Sequence, residues 1–108
     1  MLTRRALDRL LLDVVDQLIA LDLKPEKVIL FGSYANGGVH QYSDVDIAVW
    51  SPKFIGEGMI DFELVRPIIR KFRHLDIKMF PSDADAESFP FISVIEKTGV
   101  KLDLAKEV

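Results

Sequence analysis

The 108-residue sequence contains no cysteine, which excludes disulfide bonds and thiolate metal ligands. It also has no apolar run near the roughly 20 residues that a membrane-spanning helix needs. The first five residues, Met-Leu-Thr-Arg-Arg, lack the apolar core of a signal peptide. These absences are those expected of a cytoplasmic protein, and no membrane partner is predicted.

An excess of positive charge is also missing, because 14 Lys and Arg residues face 17 Asp and Glu residues, for a formal net charge of −3. General nucleic-acid binders usually carry a basic face, so nucleic acid is not an expected partner unless a second domain is added. The charge balance does not exclude a nucleotide, which needs only a local site. With 49% hydrophobic and 29% charged residues, the composition predicts a single folded domain over residues 1–108.

The first half of the chain predicts a helix followed by two strands. Thr3 is a candidate N-cap, and the residues after it repeat at helical spacing. The predicted buried stripe of this helix is Leu7, Leu10, Leu11, Val14, Leu18 and Ile19. Residues 28–31 and 44–50 predict two strands, with a turn and a polar loop over residues 33–43 between them. The unbroken apolar run at 28–31 indicates a sheet covered on both faces.

The second half predicts a helix, a strand and a final helix. Apolar residues between 60 and 72 recur at helical spacing, and Pro67 predicts a kink or a new helix start within them. Residues 74–80 alternate as a strand, with Leu75, Ile77 and Met79 on one face.

Asp85 or Ser88 could cap the final helix, Gly99 could end it, and residues 100–104 could form an edge strand or a tail. The order of elements predicts an α/β domain with a small mixed β-sheet and flanking helices.

The most informative stretch joins the two central strands. Gly32 and Ser33 follow the first strand, where a glycine permits close approach and a helix start directs N–H groups and a hydroxyl at an anion. Asp44 and Asp46 fall on one face of the second strand, roughly 7 Å apart. Two carboxylates on an otherwise apolar strand repel each other, and a magnesium ion would relieve that repulsion. The alternative is a solvated strand edge with two surface aspartates.

Asp76 stands in the third strand, on the face opposite Leu75, Ile77 and Met79. If this strand lies beside the one with Asp44 and Asp46, the three carboxylates can converge. The alternative is an ion pair between Asp76 and Lys78 or a nearby arginine.

The pattern Gly32-Ser33, ten intervening residues and Asp44-Val45-Asp46 resembles the signature of the DNA polymerase beta-like nucleotidyltransferase superfamily. The short length is similar to that of its minimal nucleotidyltransferase branch, and the resemblance covers residues 3–103. It implies the nucleotidyltransferase fold and a metal site on Asp44, Asp46 and Asp76, with Asp76 also helping to deprotonate the acceptor.

The resemblance further implies an Mg²⁺-dependent enzyme that moves a nucleoside monophosphate from a nucleoside triphosphate, with ATP expected, to an acceptor hydroxyl. Gly32 and Ser33 would hold the phosphates. Members of the minimal branch often act as antitoxins beside a helical HEPN-type protein, which can be the acceptor. A homo-oligomer is left open, as is the identity of the acceptor, because a chain of this length is expected to have no separate substrate-binding domain.

The sequence departs from the family where members commonly carry basic residues, since Tyr34 and Asn36 stand there. Lys53, Arg70 or Lys78 could compensate. The departure favours an alternative function, a catalytically weak binding module that neutralises or scaffolds a partner by contact.

For several further residues, a structural role is predicted rather than a functional one. His40 and His74 are predicted at the surface or at strand ends, because no metal-binding histidine spacing occurs. Trp50 is predicted to pack at a rim. The segment 89–91 is predicted to be core, with a partner surface as the alternative.

Overall fold

The computed structural model describes residues 2–40 and 43–104, and the polar loop predicted at 33–43 therefore includes two residues outside the described part. In the described residues, four helices and four strands alternate. In order they are α1 (Arg4–Ala20), β1 (Lys27–Phe31), α2 (Ser33–Asn36), β2 (Val45–Ser51), α3 (Gly58–Lys71), β3 (Leu75–Pro81), α4 (Phe91–Thr98) and β4 (Val100–Lys101). The predicted order of elements is confirmed, and none of the helices in the described residues has the length and apolar character to cross a membrane.

The strands form one mixed sheet in the order β3-β2-β1-β4. β1 pairs antiparallel with both β2 and β4, whereas β2 and β3 run parallel and are connected through α3. A parallel pair needs a crossover connection of this kind, because the chain must return to the same end of the sheet. The predicted edge strand is present but short, since it covers only Val100–Lys101.

Helix α1 begins where its cap predicts, because Thr3 Oγ1 accepts the Ala6 N–H at 3.1 Å. Most of the predicted stripe faces the sheet, but Ile19 is 51% exposed and its assignment to the core was wrong. Val15 is buried instead at 3% exposure. The helix packs its apolar side with α3 against one face of the sheet.

The two faces of the sheet carry separate cores. The first face, under α1 and α3, includes the odd-numbered residues Val45, Ile47 and Val49 of β2. The second face, under α4, is built from Ile29, Phe31, Ala48, Trp50, Phe80, Ile92 and Ile95. Covering on both faces confirms the prediction from the apolar run at 28–31. Trp50 is 2% exposed and lies in the second core, so its predicted rim position was wrong.

Helix α3 is one continuous helix with Pro67 inside it, so the predicted new helix start at Pro67 was wrong. Its buried side contains Val65 and Ile68 together with Asp61, which is only 1% exposed. The Asp61 carboxylate accepts the N–H groups of Ile55 at 3.0 Å and Gly56 at 2.9 Å. Asp61 therefore fixes the loop that precedes the helix.

We expect Asp61→Ala to lower the free energy of unfolding by about 1.5–3 kcal/mol, because two backbone donors lose a charged acceptor. Chemical denaturation of the variant measures this loss. Glu63→Ala on the same helix removes an exposed carboxylate and should change stability by less than about 0.5 kcal/mol. Equal stability of the two variants would contradict the assigned role of Asp61.

The end of the chain differs in detail from its prediction. Pro90 occupies the N-cap of α4, whereas Asp85 Oδ1 accepts the Ser88 N–H at 2.9 Å in the preceding turn. Capping of α4 by Asp85 or Ser88 was therefore wrong. Gly99 ends the helix as predicted, and a side chain there would meet the carbonyl oxygens of Ile95 and Leu30 at 2.6 and 2.8 Å.

Candidate active site

The turn after β1 has a backbone that favours glycine at two positions. Gly32 has φ 74° and ψ −156°, and Gly37 has φ 86°. Between them Ser33–Asn36 forms one short helix, in which Ala35 and Asn36 both donate to the Gly32 carbonyl at 3.0 Å. Gly37, in the left-handed conformation, ends this helix. The first N–H groups of a helix have no partner within the helix, so Ser33 begins a segment suited to an anion.

Asp46 lies directly beside this turn. In the antiparallel pair of β1 and β2 it is opposite Phe31, the residue before Gly32. A Cβ added to Gly32 would overlap the Asp46 carboxylate, lying 3.1 Å from its Cγ. The two halves of the predicted site are thus in contact, because the carboxylate packs where a side chain at position 32 would stand.

Asp76 lies on the other side of Asp46, since the two residues are partners in the parallel pair of β2 and β3. Their carboxyl groups lie close enough for the charge of Asp76 to raise the pKa of Asp46. Asp44 lies one residue before β2, which begins at Val45 rather than at 44, and its charge still acts on Asp46. The predicted adjacency of the two strands is confirmed; a metal-binding role for the three aspartates stays a prediction.

The electrostatics of Asp46 reflect this crowding. Burial raises the pKa of Asp46, and the charges of Asp76 and Asp44 raise it further, while the Lys78 ammonium acts in the opposite direction. A carboxyl whose pKa is raised in the folded state holds its proton more tightly there than when unfolded. It therefore favours folding below the usual aspartate pKa, and this contribution is lost as the pH rises through the raised pKa.

We expect Asp46→Asn to gain stability relative to the parent protein when the pH rises from about 3 to about 8, because asparagine cannot ionise. Thermal melts in a chelating buffer measure the difference at each pH. Asp13→Asn, which removes an exposed carboxylate on α1, serves as the control and should show no such trend. A pH-independent difference for Asp46→Asn would contradict the crowding of the carboxyls.

Two cationic or ionisable side chains face the carboxylates. Lys78 Nζ lies 3.7 Å from Asp76 Oδ2, so the ion pair weighed as an alternative for Asp76 is present. His74 Nδ1 lies 3.5 Å from Asp44 Oδ1, although the sequence predicted only a surface or strand-end residue. The His74 carbonyl also accepts the Val45 N–H at 2.7 Å, which brings the start of β3 to the start of β2. The position of His74 in the sequence, two residues before Asp76, was the signal that could have predicted its place beside the carboxylates.

The donor set suits a hard divalent cation. Asp46 and Asp76 bring their carboxyl groups close together from paired strands, and a cation bound between them would remove their mutual repulsion. Within residues 2–40 and 43–104, no group of three or more His, Asp or Glu residues is already arranged to hold a metal. Asp44 would have to turn from His74 to complete a three-carboxylate set.

Tyr34 and Asn36 stand where family members commonly carry basic residues, and neither supplies positive charge. The Tyr34 hydroxyl accepts the Leu2 N–H at 2.9 Å, which ties the turn to the start of α1. Lys53 follows the far end of β2 and pairs with Asp22 at 3.8 Å, well away from the carboxylates. Of the three cations considered from the sequence, Lys78 is the one whose charge acts on Asp46.

Comparison with known families gives one match over most of the chain. The family model for the nucleotidyltransferase domain matches residues 9–106. Among curated proteins, none matches the chain significantly.

Solved structures of low sequence identity share the fold. A candidate nucleotidyltransferase from Sulfolobus solfataricus is 20% identical with a TM-score of 0.63, over 86% of this chain and 76% of its own. A toxin–antitoxin complex with AMP-PNP is 22% identical with a TM-score of 0.58, over 83% and 70%. A mutant MntA–HpeT toxin–antitoxin complex is 20% identical with a TM-score of 0.58, over 82% and 68%.

Proposed function

This chain belongs to the nucleotidyltransferase domain family, and from that premise we propose that it transfers a nucleoside monophosphate, from ATP, to an acceptor hydroxyl. One observation carries the proposal: Asp46 and Asp76 lie side by side on paired strands, directly against the Gly32 turn. Nucleotidyl transfer needs a cluster of anionic ligands for a cation next to a turn that can receive phosphates. The nucleotide donor makes the cytoplasm the proposed compartment.

Each residue has a proposed role. Asp44, Asp46 and Asp76 would hold magnesium, which when bound supplies charge neutralisation on the phosphates. Gly32 and Ser33 would hold the β- and γ-phosphates through backbone N–H groups and the serine hydroxyl. Asp76 would also receive the proton of the acceptor hydroxyl, and the transfer would release pyrophosphate.

The acceptor is proposed to be a partner protein. Two of the structural neighbours are toxin–antitoxin complexes, one of them with AMP-PNP. A helical HEPN-type protein is the proposed partner, modified on a hydroxyl side chain, and the chain would act as its antitoxin.

Calorimetry and a labelling assay test the proposal. We expect the β,γ-imido analogue of ATP to bind in the presence of magnesium, and the affinity to fall when magnesium is omitted. Incubation with ATP labelled at the α-phosphate and a candidate helical HEPN-type protein should transfer the label to that protein. Absence of nucleotide binding, or equal label transfer by the double variant Asp44→Ala and Asp46→Ala, would overturn the enzyme proposal.

The departure at Tyr34 supports one alternative. Because Tyr34 and Asn36 are neutral, residues 33–36 offer no side-chain cation to a triphosphate, and the Tyr34 hydroxyl is already engaged by the Leu2 N–H. The chain could instead neutralise its partner by contact. Neutralisation of the partner by Asp46→Asn, at the same strength as by the parent protein, would favour this alternative. Loss of neutralisation with retained complex formation would favour the enzyme.

A further inference from the structure

An open cleft of about 530 Å³ lies on the second face of the sheet, on the same face as Asp46 and Asp76. It is lined by Lys78, Phe80, Ser88, Phe89, Pro90 and Phe91. We call it the aromatic cleft. Its size lies within the range of small-molecule sites, which are about 300–1,000 Å³. The sequence predicted that segment 89–91 would be core, but Phe91 is 48% exposed.

The aromatic cleft is continuous with the carboxylate cluster along β3. Side chains alternate along a strand, so Asp76, Lys78 and Phe80 share one face and follow one another at intervals of roughly 7 Å. Asp76 partners Asp46, and Phe80 belongs to the core of the second face. Lys78 therefore stands between the carboxylates and the aromatic walls.

A second wall connects the aromatic cleft to the glycine turn. The Phe91 ring packs edge-on against Phe31 at 5.9 Å between centroids, and Phe31 precedes Gly32. Phe89 packs edge-on against Phe80 at 5.4 Å. The aromatic cleft thus opens beside both parts of the site to which a triphosphate is assigned.

The geometry points to the aromatic cleft as the binding site for the nucleobase of the donor nucleotide, with Lys78 contacting its phosphate chain. This inference rests on the proposed function. A nucleobase is a flat aromatic ring that stacks on phenylalanine, and it is joined to the reacting phosphate by a sugar. A ligand with an apolar ring at one end and negative charge at the other matches the order Phe80, Lys78, Asp76 along the strand.

Lys78 also provides a positive charge near the turn, where Tyr34 and Asn36 are neutral. Its side chain is 49% exposed, and among residues 2–40 and 43–104 its Nζ has one ion pair, of 3.7 Å with Asp76. Such a half-exposed pair contributes little to stability, so the flexible lysine can exchange Asp76 for a phosphate at small cost. Once a cation occupies the carboxylates, the ammonium no longer needs to neutralise Asp76.

Two ligands separate the role of the base from the role of the phosphates. Calorimetry in magnesium would compare the β,γ-imido analogue of ATP with inorganic tripolyphosphate, which has no base. For Phe91→Ala we expect roughly 5- to 150-fold weaker binding of the ATP analogue, from the usual value of one base–aromatic stack, and unchanged binding of tripolyphosphate. Phe62→Ala, at an exposed phenylalanine on α3, is the matched control and should bind both ligands normally.

A second variant tests whether weaker binding by Phe91→Ala results from misfolding rather than from loss of the aromatic ring. Phe91→Leu keeps an apolar side chain but removes the aromatic face, and it should also weaken binding of the ATP analogue selectively. Normal binding of the analogue by a folded Phe91→Ala or Phe91→Leu protein would overturn the base site, while the proposed transferase would stand. Failure of the parent protein to bind the analogue would overturn both.

Lys78 is tested with the same two ligands. Lys78→Met should weaken binding of both the ATP analogue and tripolyphosphate by about tenfold or more, and Lys78→Arg should restore much of it. Lys53→Met, which removes a lysine at the far end of β2, should change neither. Unchanged tripolyphosphate binding by Lys78→Met would overturn the phosphate contact.

Discussion

Replacing Asp46 by asparagine should lower the rate of nucleotidyl transfer by more than about a hundredfold, because loss of even an outer-shell partner of a metal costs 10–100-fold. Asp46 is central to the candidate site: it is paired with Asp76 across β2 and β3, and it packs against Gly32. The amide keeps the size of the side chain but removes its negative charge. Transfer of label from ATP under single-turnover conditions measures the effect.

The same substitution should leave the fold intact, since Asp46 stabilises the native state less as an anion than as a neutral group. A thermal melt at neutral pH in a chelating buffer checks this, and Asp13→Asn should show parent-like activity. Parent-like transfer by Asp46→Asn would remove Asp46 from the mechanism. A variant that is inactive because it is unfolded would contradict the electrostatic account of the carboxyls.

The second large effect is expected at Gly32, where alanine should cost about 2–5 kcal/mol of unfolding free energy. The backbone conformation at Gly32, φ 74° and ψ −156°, lies in a region used almost only by glycine, and strain there costs about 1–3 kcal/mol. The added methyl group also overlaps the Asp46 carboxylate, which must move to make room. Gly32→Ala should therefore lose stability and transfer activity together.

Gly38→Ala is the matched control for this prediction. A Cβ at Gly38 meets nothing within 4 Å, and its φ lies outside the left-handed range. Chemical denaturation should show the parent value within about 0.5 kcal/mol for Gly38→Ala and a clear loss for Gly32→Ala. Equal midpoints for the two variants would mean that the turn tolerates a side chain at Gly32, and the close packing against Asp46 would be refuted.

Local features were well predicted because they depend on residues close together in the chain. Thr3 caps α1, Gly99 ends α4, and the odd and even residues of β2 separate onto two faces. Caps, turns and strand alternation follow from side-chain chemistry within a few residues. The pattern of glycine, serine and aspartates was sufficient to indicate the family.

The predictions of burial were wrong or incomplete where burial depends on contacts outside the helix or strand that carries the residue. Ile19 continues an apolar stripe, yet the sheet reaches only part of that stripe and leaves it exposed. Asp61 is polar and nevertheless buried, because the loop at Ile55 and Gly56 folds back onto it. Trp50 is buried because the Phe80 ring packs against it at 5.0 Å between centroids and the Ala84 carbonyl accepts its Nε1–H at 3.2 Å. None of these contacts leaves a periodic signal in the sequence.

By itself the sequence determined the main helices and strands, their order, the glycine turn and the candidate residues for phosphate and cation. Only the tertiary structure decided that β3 lies parallel beside β2 in the register that joins Asp76 to Asp46. It also decided that His74 meets Asp44, and that Lys78 stands between the carboxylates and the aromatic cleft. The physical reason is that strand pairing and register are set by the packing of α3 and both cores, which no short segment encodes.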